Sequence, residues 1–312
     1  MSRSTPGPVA SHLQGWLGRP DISARSVLVT ILGDAVRPVC QSLWSAQLFA
    51  LSEPFGFSER LVRTSLFRLA ADGWVENERV GRQSRYSMTA HALRESADVD
   101  DRIYGGVEPD WDGHWTFVML DRAQLAAKEV DRLIEHLGWQ GFIALDRSVL
   151  VSPTVPAARA RELLAMAEPA GGESRAVAAV ARGEIDDLDG LVQSGAFADA
   201  FRHPATAAAY EEFVAAYRPL AAIDAADLAP VDAFALRTTL VHDLRRIVLR
   251  HPPLPAALLP PDWAGVDAQE VAAELYHPWC ARSASWLSDV LGEAYPERFG
   301  HRFTAVPSVP LG

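Results

Sequence analysis

The sequence predicts an α+β chain built in three successive parts. Three patterns carry this: helical periodicities ending in two short β-type runs before position 92, a β-α-β-β-α-β alternation over 113–185, and helical patterning from 186 onward. At 312 residues with 49% hydrophobic content, the chain is long enough for two or three compact units.

Residues 1–22 are rich in Ser, Pro and Gly and lack a period, so a flexible arm is expected there. Residues 23–92 read as one module. SARSVLVTILGDA predicts a helix with Ser23 as N-cap, LWSAQLFALSEPF a second helix closed by Pro54, and Ser58 caps a third after the turn residue Gly56. On the third helix Val62, Leu66 and Leu69 share one face, while Arg60, Arg63, Thr64 and Phe67 share the opposite one. WVENERV and SRYSMT, separated by GRQ, predict a hairpin with Arg82 at its tip. Three helices and such a hairpin predict an N-terminal winged helix-turn-helix.

Residues 93–112 carry scattered charge, Gly and Pro and are expected to be a linker. HWTFVML, AQLAAKEVDRLIEHLGW, FIAL, SVLVSP, PAARARELLAMA and SRAVAAVA then alternate in the order of a ferredoxin-like middle domain over 113–185. Residues 186–312 are expected to be an α-helical C-terminal domain, with a Pro-rich break at PPLPAALLPPDW.

The formal net charge is -11, yet residues 1–104 hold 12 Arg against 11 Asp and Glu, and positions 60–85 alone hold six arginines. A basic island on an acidic chain points to a polyanionic partner. No apolar run reaches the roughly 18–20 residues of a membrane span, and the first residues lack a secretory apolar core, so a cytoplasmic protein without a membrane partner is expected. Cys40 and Cys280 stand apart, outside any CxxC pattern.

In a helix-turn-helix, outward side chains near the start of the second helix meet base edges, and the guanidinium fork bonds guanine O6 and N7 together. Arg60, Arg63 and Thr64 are therefore the base-reading candidates. Arg68, Arg82, Gln83 and Arg85 are expected to grip phosphates and position the protein. Arg25 and Arg37 flank the first helix, where they either reach phosphate or are ordinary surface residues.

The GxSxG, P-loop, GxGxxG and HExxH signatures are absent, so neither an enzyme nor a cofactor is expected. Asp121 ends the first middle-domain strand, a place where a carboxylate can hold a divalent metal, but no second carboxylate comes before Glu129; a helix-start role is expected. His242, Asp243 and His251 have poor metal-ligand spacing, and no metal is expected there. For a small-molecule site the candidates are Arg237, His242, Arg245 and Arg246, joined by Trp263, Tyr276 and Trp279. The arginines would hold phosphates and the aromatics an apolar moiety.

Three blocks carry a family resemblance. They are SARSVLVTILGDAVRP with FGFSERLVRTSLFRLAADGWVENERVGRQSRYSMT, then RIYGG followed by WDGHWTFVMLD, then LVHDLRRIVLRHPPLPAALLPPDWAG. The chain resembles the PaaX-like regulators, the phenylacetate-degradation repressor family, from about 23 to 290. Asp243, where the family more often has Glu, and the tail after about 290 depart from its pattern. The resemblance implies a repressor of aromatic-acid catabolism that binds double-stranded operator DNA as a homodimer. It implies release by an aryl-acyl-CoA effector such as phenylacetyl-CoA, with dimerisation through the middle domain and effector binding in the C-terminal one. It also implies a middle domain similar to small CRISPR-associated nucleases, so the rival is a metal-dependent nuclease working through Asp121. A regulator of the same fold with an unrelated effector is the other alternative.

Overall fold

The computed structural model describes residues 7–105, 111–167, 178–185, 204–250, 254–259 and 263–303. His251 and the whole stretch 186–203 lie outside the described residues. Packing divides the chain into two compact units: the described parts of Met1–Gly105, Glu212–Arg245 and Asp267–Ala305, and those of Gly106–Glu211 and Arg246–Val266.

The first unit opens with α1 (Pro8–Leu17), where a flexible arm was expected. Proline sits in its first turn, where the missing N–H costs nothing, and Trp16 is buried. The Ser, Pro and Gly content of this stretch does not prevent a helix, because its one large aromatic, Trp16, is buried and anchors it. Next, α2 (Ala24–Ile31) is capped by Ser23, which accepts from the Ser26 N–H, and it buries Val27, Leu28 and Ile31. It runs on into a π-helical turn, Leu32–Val36, that carries Asp34 inward.

Strand β1 (Ser42–Trp44) precedes α3 (Ser45–Ser52); sequence patterning alone had merged its Leu43 and Trp44 into the helix. Gly56, at φ 66°, turns the chain, and Ser58 caps α4 (Glu59–Ala71) by accepting from the Leu61 N–H. Helix α4 ends in a Schellman motif about Gly73, with the Gly73 N–H on Ala70 O at 3.1 Å and the Trp74 N–H on Leu69 O at 2.8 Å. β2 (Val75–Val80) and β3 (Gln83–Met88) then pair antiparallel across a two-residue loop, Gly81-Arg82. β1 joins the other side of β3, giving the order β1-β3-β2.

A helix, α5 (Ala90–Tyr104), occupies most of the expected linker. Arg94 and Asp101 are exposed while Ala92, Ser96 and Ile103, at spacings of four and seven, are buried, so the helix is amphipathic. Further along the chain come α8 (Pro204–Tyr217), α9 (Pro230–Val248) and α10 (Ala264–Leu291). Every residue of α9 from Ala233 to Leu244 is buried, so its polar side chains must find partners inside the protein. Gln47 ties the N-terminal segment to α10: its Oε1 accepts from the Trp44 N–H at 2.8 Å, and its Nε2 donates to Val290 O and Leu291 O.

The second unit follows β4 (His114–Leu120), α6 (Ala127–Trp139), β5 (Ile143–Ala144), β6 (Val149–Ser152), α7 (Ala157–Ala167) and β7 (Ala178–Glu184). The strands form one antiparallel sheet in the order β5-β6-β4-β7. The two-residue alternation of β4 sends Val118 and Leu120 to a face covered by α6 and α7, through Val130, Leu133, Leu137, Ala160 and Leu163. Trp115 and Phe117 point to the other face, which Leu254, Leu258 and Leu259 cover.

Candidate nucleic-acid interface and the ionic network behind it

Helix α4 presents a cationic face because its apolar residues repeat on one side only. Val62, Ser65, Leu66 and Leu69 are buried, while Arg60, Arg63, Thr64, Phe67 and Arg68 are exposed. Phe67, 75% exposed, is an apolar group of the kind that contacts a thymine methyl. Arg63 pairs with Glu59 at 3.1 Å across one helical turn, and its guanidinium carbon lies 4.7 Å from the Phe49 ring centroid. That exposed pair is worth only about 0.3–0.5 kcal/mol, so an incoming anion can replace it. The Thr64 hydroxyl donates to Arg60 O at 2.9 Å, which leaves its own oxygen outward as an acceptor. Arg60, Arg68 and Arg82 make no side-chain hydrogen bond or ion pair among the described residues.

On the hairpin, Arg82 and Gln83 are exposed at the tip. Arg85 is held: its Nε donates to Ser42 Oγ at 2.8 Å, and its guanidinium carbon lies 5.8 Å from the Trp44 ring centroid. Arg25 pairs with Asp72 at 2.6 Å, and Arg37 pairs with Asp100 on α5. Six of the seven residues expected to face nucleic acid are therefore displayed without a fixing neighbour or with only a local, weak one; Arg85 is the anchored exception.

Behind this surface lies a buried network that sequence reasoning missed. Asp34 is 2% exposed, and its Oδ1 accepts from the hydroxyls of Tyr104 and Tyr276 at 2.8 and 2.9 Å and from Arg302 Nη1 at 2.9 Å. Arg302 Nη1 also donates to Asp34 O and to the Tyr276 hydroxyl. Arg237 Nε lies 2.9 Å from Asp34 Oδ2, within ion-pair range but not aligned as a hydrogen bond, and Arg237 Nη2 donates to Asp34 O at 3.2 Å. Aromatic rings pack against the two guanidiniums: Arg237 lies 5.0 Å from the Tyr276 centroid, and Arg302 lies 4.3 Å from Tyr104 and 4.6 Å from Phe299.

Burial pushes the Asp34 carboxyl up, but the charges of Arg237 and Arg302 and the two tyrosine hydroxyls outweigh it, so this carboxyl titrates below its usual range. Burial, reinforced by Asp34, raises Tyr104 and Tyr276 well above the ordinary phenol. Both therefore stay protonated as donors.

A second polar cluster sits on α9. Asp243 Oδ2 accepts from Trp16 Nε1 at 3.0 Å, Arg19 Nη1 at 2.8 Å and the Tyr217 hydroxyl at 3.0 Å. His242 Nδ1 is 3.0 Å from Thr30 Oγ1, and Trp16 packs edge-on against the His242 ring at 5.3 Å. These two neighbours on α9 hold α1 and α2.

Of the residues expected to hold a small molecule, Arg237 and Tyr276 lie in the Asp34 network, and His242 Nδ1 faces Thr30 Oγ1. Trp279 is 1% exposed, and Trp263 packs against Tyr210 at 5.6 Å in the second unit. Arg245 and Arg246 are half-buried at the end of α9. Asp121 caps a turn, its Oδ1 accepting from the Ala123 N–H and its Oδ2 from Gln124 Nε2. Among the described residues, no group of three or more His, Cys, Asp or Glu is placed to hold a metal, and no helix is long and apolar enough to cross a membrane.

One signal for the missed network was present: a single acid inside the apolar run SVLVTILGDAV, where an unpaired carboxylate is not tolerated. Nothing near Arg302 or Tyr104 marks them as its partners.

These features define a class: an α+β protein that joins an arginine-faced helix and hairpin, braced by buried helices, to a separate β-α-β-β-α-β unit. Comparison with known proteins agrees along the chain. Residues 23–92 match the PaaX-like protein family, residues 108–186 the PaaX protein central Cas2-like domain, and residues 201–289 the PaaX-like protein C-terminal domain. The chain is 32% identical over 303 residues to the transcriptional repressor PaaX of Escherichia coli K12, covering 89% of this chain and 90% of that protein. It belongs to the PaaX-like family. Among solved structures, the uncharacterized protein Rv0674 from Mycobacterium tuberculosis shares the fold at a TM-score of 0.50 and 19% identity, covering 84% of this chain and 98% of that one.

Proposed function

We propose that this protein is a DNA-binding transcriptional repressor of phenylacetic acid catabolism, released from its operator by an aryl-acyl-CoA. The observation that carries the reading is the outward face of α4, with Arg60, Arg63, Thr64 and Phe67 displayed beside the basic-tipped hairpin. The order α2-β1-α3-α4-β2-β3, with β1 beside β3, supports a winged helix-turn-helix in which we assign α4 as the recognition helix. The sheet order β5-β6-β4-β7 likewise supports a ferredoxin-like middle domain, which we assign to homodimer formation. Descent in common with a named repressor supports the regulatory role.

The test is a mobility shift with the promoter DNA of the adjacent operon, with and without phenylacetyl-CoA, run beside plasmid and Mg²⁺ or Mn²⁺. Retarded, uncut DNA released by the thioester supports the reading; cleavage supports the nuclease instead. A dimeric mass and a two-fold footprint with half-sites about one helical turn, or a multiple of it, apart are expected.

Two pairs of variants separate the roles. Arg63→Ala is expected to weaken specific binding by about 1–3 kcal/mol and relax one base position, while Arg82→Ala weakens binding to all sequences and lowers the salt slope by about one. Equal effects of both on specific and random DNA would overturn these roles. Arg245→Ala and Arg246→Ala test the phosphate contact: loss of about 1.5–3 kcal/mol of effector affinity, with melting temperature and operator affinity unchanged, is expected. A lower melting temperature with a normal effector response would place both arginines in the scaffold.

A further inference from the structure

A cavity of ≈ 350 Å³ lies inside the arginine-faced module, between the back of α4, the three-stranded sheet and α5. Its apolar walls come from Leu32, Val36, Leu43, Leu66 and Met88, and its polar groups include Arg37, Ser42 and Ser87. We propose that this cavity seats the acyl end of the effector, a small aryl-substituted acyl group presented as a thioester, and that its occupancy disturbs the DNA-reading surface directly. The inference rests on the repressor reading above and places the effector's acyl group within it.

Three observations carry the assignment. The volume falls at the lower end of small-ligand sites, of order 300–1,000 Å³, so the cavity suits an aryl-acyl group while the bulk of a coenzyme stays outside. The polar groups suit a neutral carbonyl better than a carboxylate. Ser42 and Ser87 carry hydroxyls, whereas the nearby cation, Arg37, is already paired with Asp100. The walls also belong to the reading elements. Leu66 is the buried face of the helix whose outward face is Arg63 and Phe67, and Ser42 Oγ accepts the hydrogen bond that holds Arg85 on the hairpin. A guest that takes the Ser42 hydroxyl or displaces Leu66 changes both at once, which gives the ligand the differential affinity that release requires.

Cys40 lines the cavity and is half-exposed, while Cys280, the other cysteine, is buried, so thiol labelling of the full-length protein reports on this site. Burial and the charge of Glu293 push the Cys40 thiol up, so labelling is run at about pH 8.5 to raise the thiolate fraction. Phenylacetyl-CoA at a concentration that releases operator is expected to slow Cys40 alkylation several-fold, free phenylacetate to do so more weakly, and acetyl-CoA and CoA not at all. Leu93→Trp, at the exposed rim, is expected to raise the phenylacetyl-CoA needed for release by at least ~10-fold while operator affinity stays within about twofold.

Release of operator without protection of Cys40 overturns the cavity assignment and leaves the repressor reading standing. So does protection by CoA alone, or an unchanged response of Leu93→Trp. Absence of any effect of phenylacetyl-CoA on the operator complex overturns the effector reading itself, and the cavity assignment with it.

Discussion

Asp34→Ala is expected to cost about 3–5 kcal/mol, because removing one member of a buried ionic set leaves the others charged without compensation. Here two guanidiniums, Arg237 and Arg302, lose their common carboxylate in a site where neither side chain touches solvent. For a protein of this size about 1 kcal/mol corresponds to roughly 2–4 °C, so the melting temperature should fall by on the order of 10 °C. Arg302→Leu in the Asp34→Ala background is expected to recover part of the loss by removing one uncompensated cation. A melting temperature within about a degree of the parent would show that the network contributes nothing net.

The same carboxylate sets a pH dependence. Its folded pKa lies below the unfolded value of about 3.9, so its stabilisation is fully present above that pH and is lost as pH falls through the folded pKa. Acid titration of the melting temperature should therefore show a steeper fall for the parent than for Asp34→Asn below about pH 4. Coincident slopes would argue against the assignment.

Asp243→Ala is the second large effect, about 2–3 kcal/mol. It leaves the buried donors of Trp16 and Tyr217 without an acceptor, each at a cost of about 1–3 kcal/mol in isolation. The Arg19 contact adds little, since its side chain is 40% exposed. Because the same carboxylate holds Trp16, α1 should come loose as well, and limited proteolysis is expected to cut within residues 8–22 before the rest of the unit. Asp243→Asn keeps an acceptor oxygen and should recover much of the loss. Unchanged cleavage in Asp243→Ala would mean that α1 is held by ring packing alone.

The arginine-faced helix was legible because each of its signals is local: Ser58 as cap, Gly56 and Gly73 at its ends, and a single apolar stripe. Strand alternation made the four-stranded sheet legible in the same way, since the face on which Trp115 or Val118 lands follows from the two-residue period. The missed elements, α1, β1 and α5, are short or amphipathic on a small scale, and each is stabilised by partners far along the chain. Trp16 meets Asp243, Leu43 sits opposite Tyr86 on β3, and Tyr104 meets Asp34. No window of a dozen residues contains such information.

The candidate site divides along the same line. Its displayed side chains, Arg60, Arg63, Thr64, Arg68, Arg82 and Gln83, followed from periodicity, because an exposed position needs only an apolar face on the other side. The pairing of Arg237 with Asp34 was not legible, because a cation in a charged-looking stretch such as LRTTLVHDLRR reads the same whether its counter-charge is a phosphate or an aspartate two hundred residues away. What the sequence by itself determined was therefore the secondary structure with strong local caps and periods, and the sign of the charge on the outward helix. What only the tertiary structure decided was which polar groups the buried helix α9 meets. Desolvation makes an unpaired charge there costly by several kcal/mol, so the native packing is one in which Asp34 and Arg237, and Trp16 and Asp243, are brought together from distant parts of the chain.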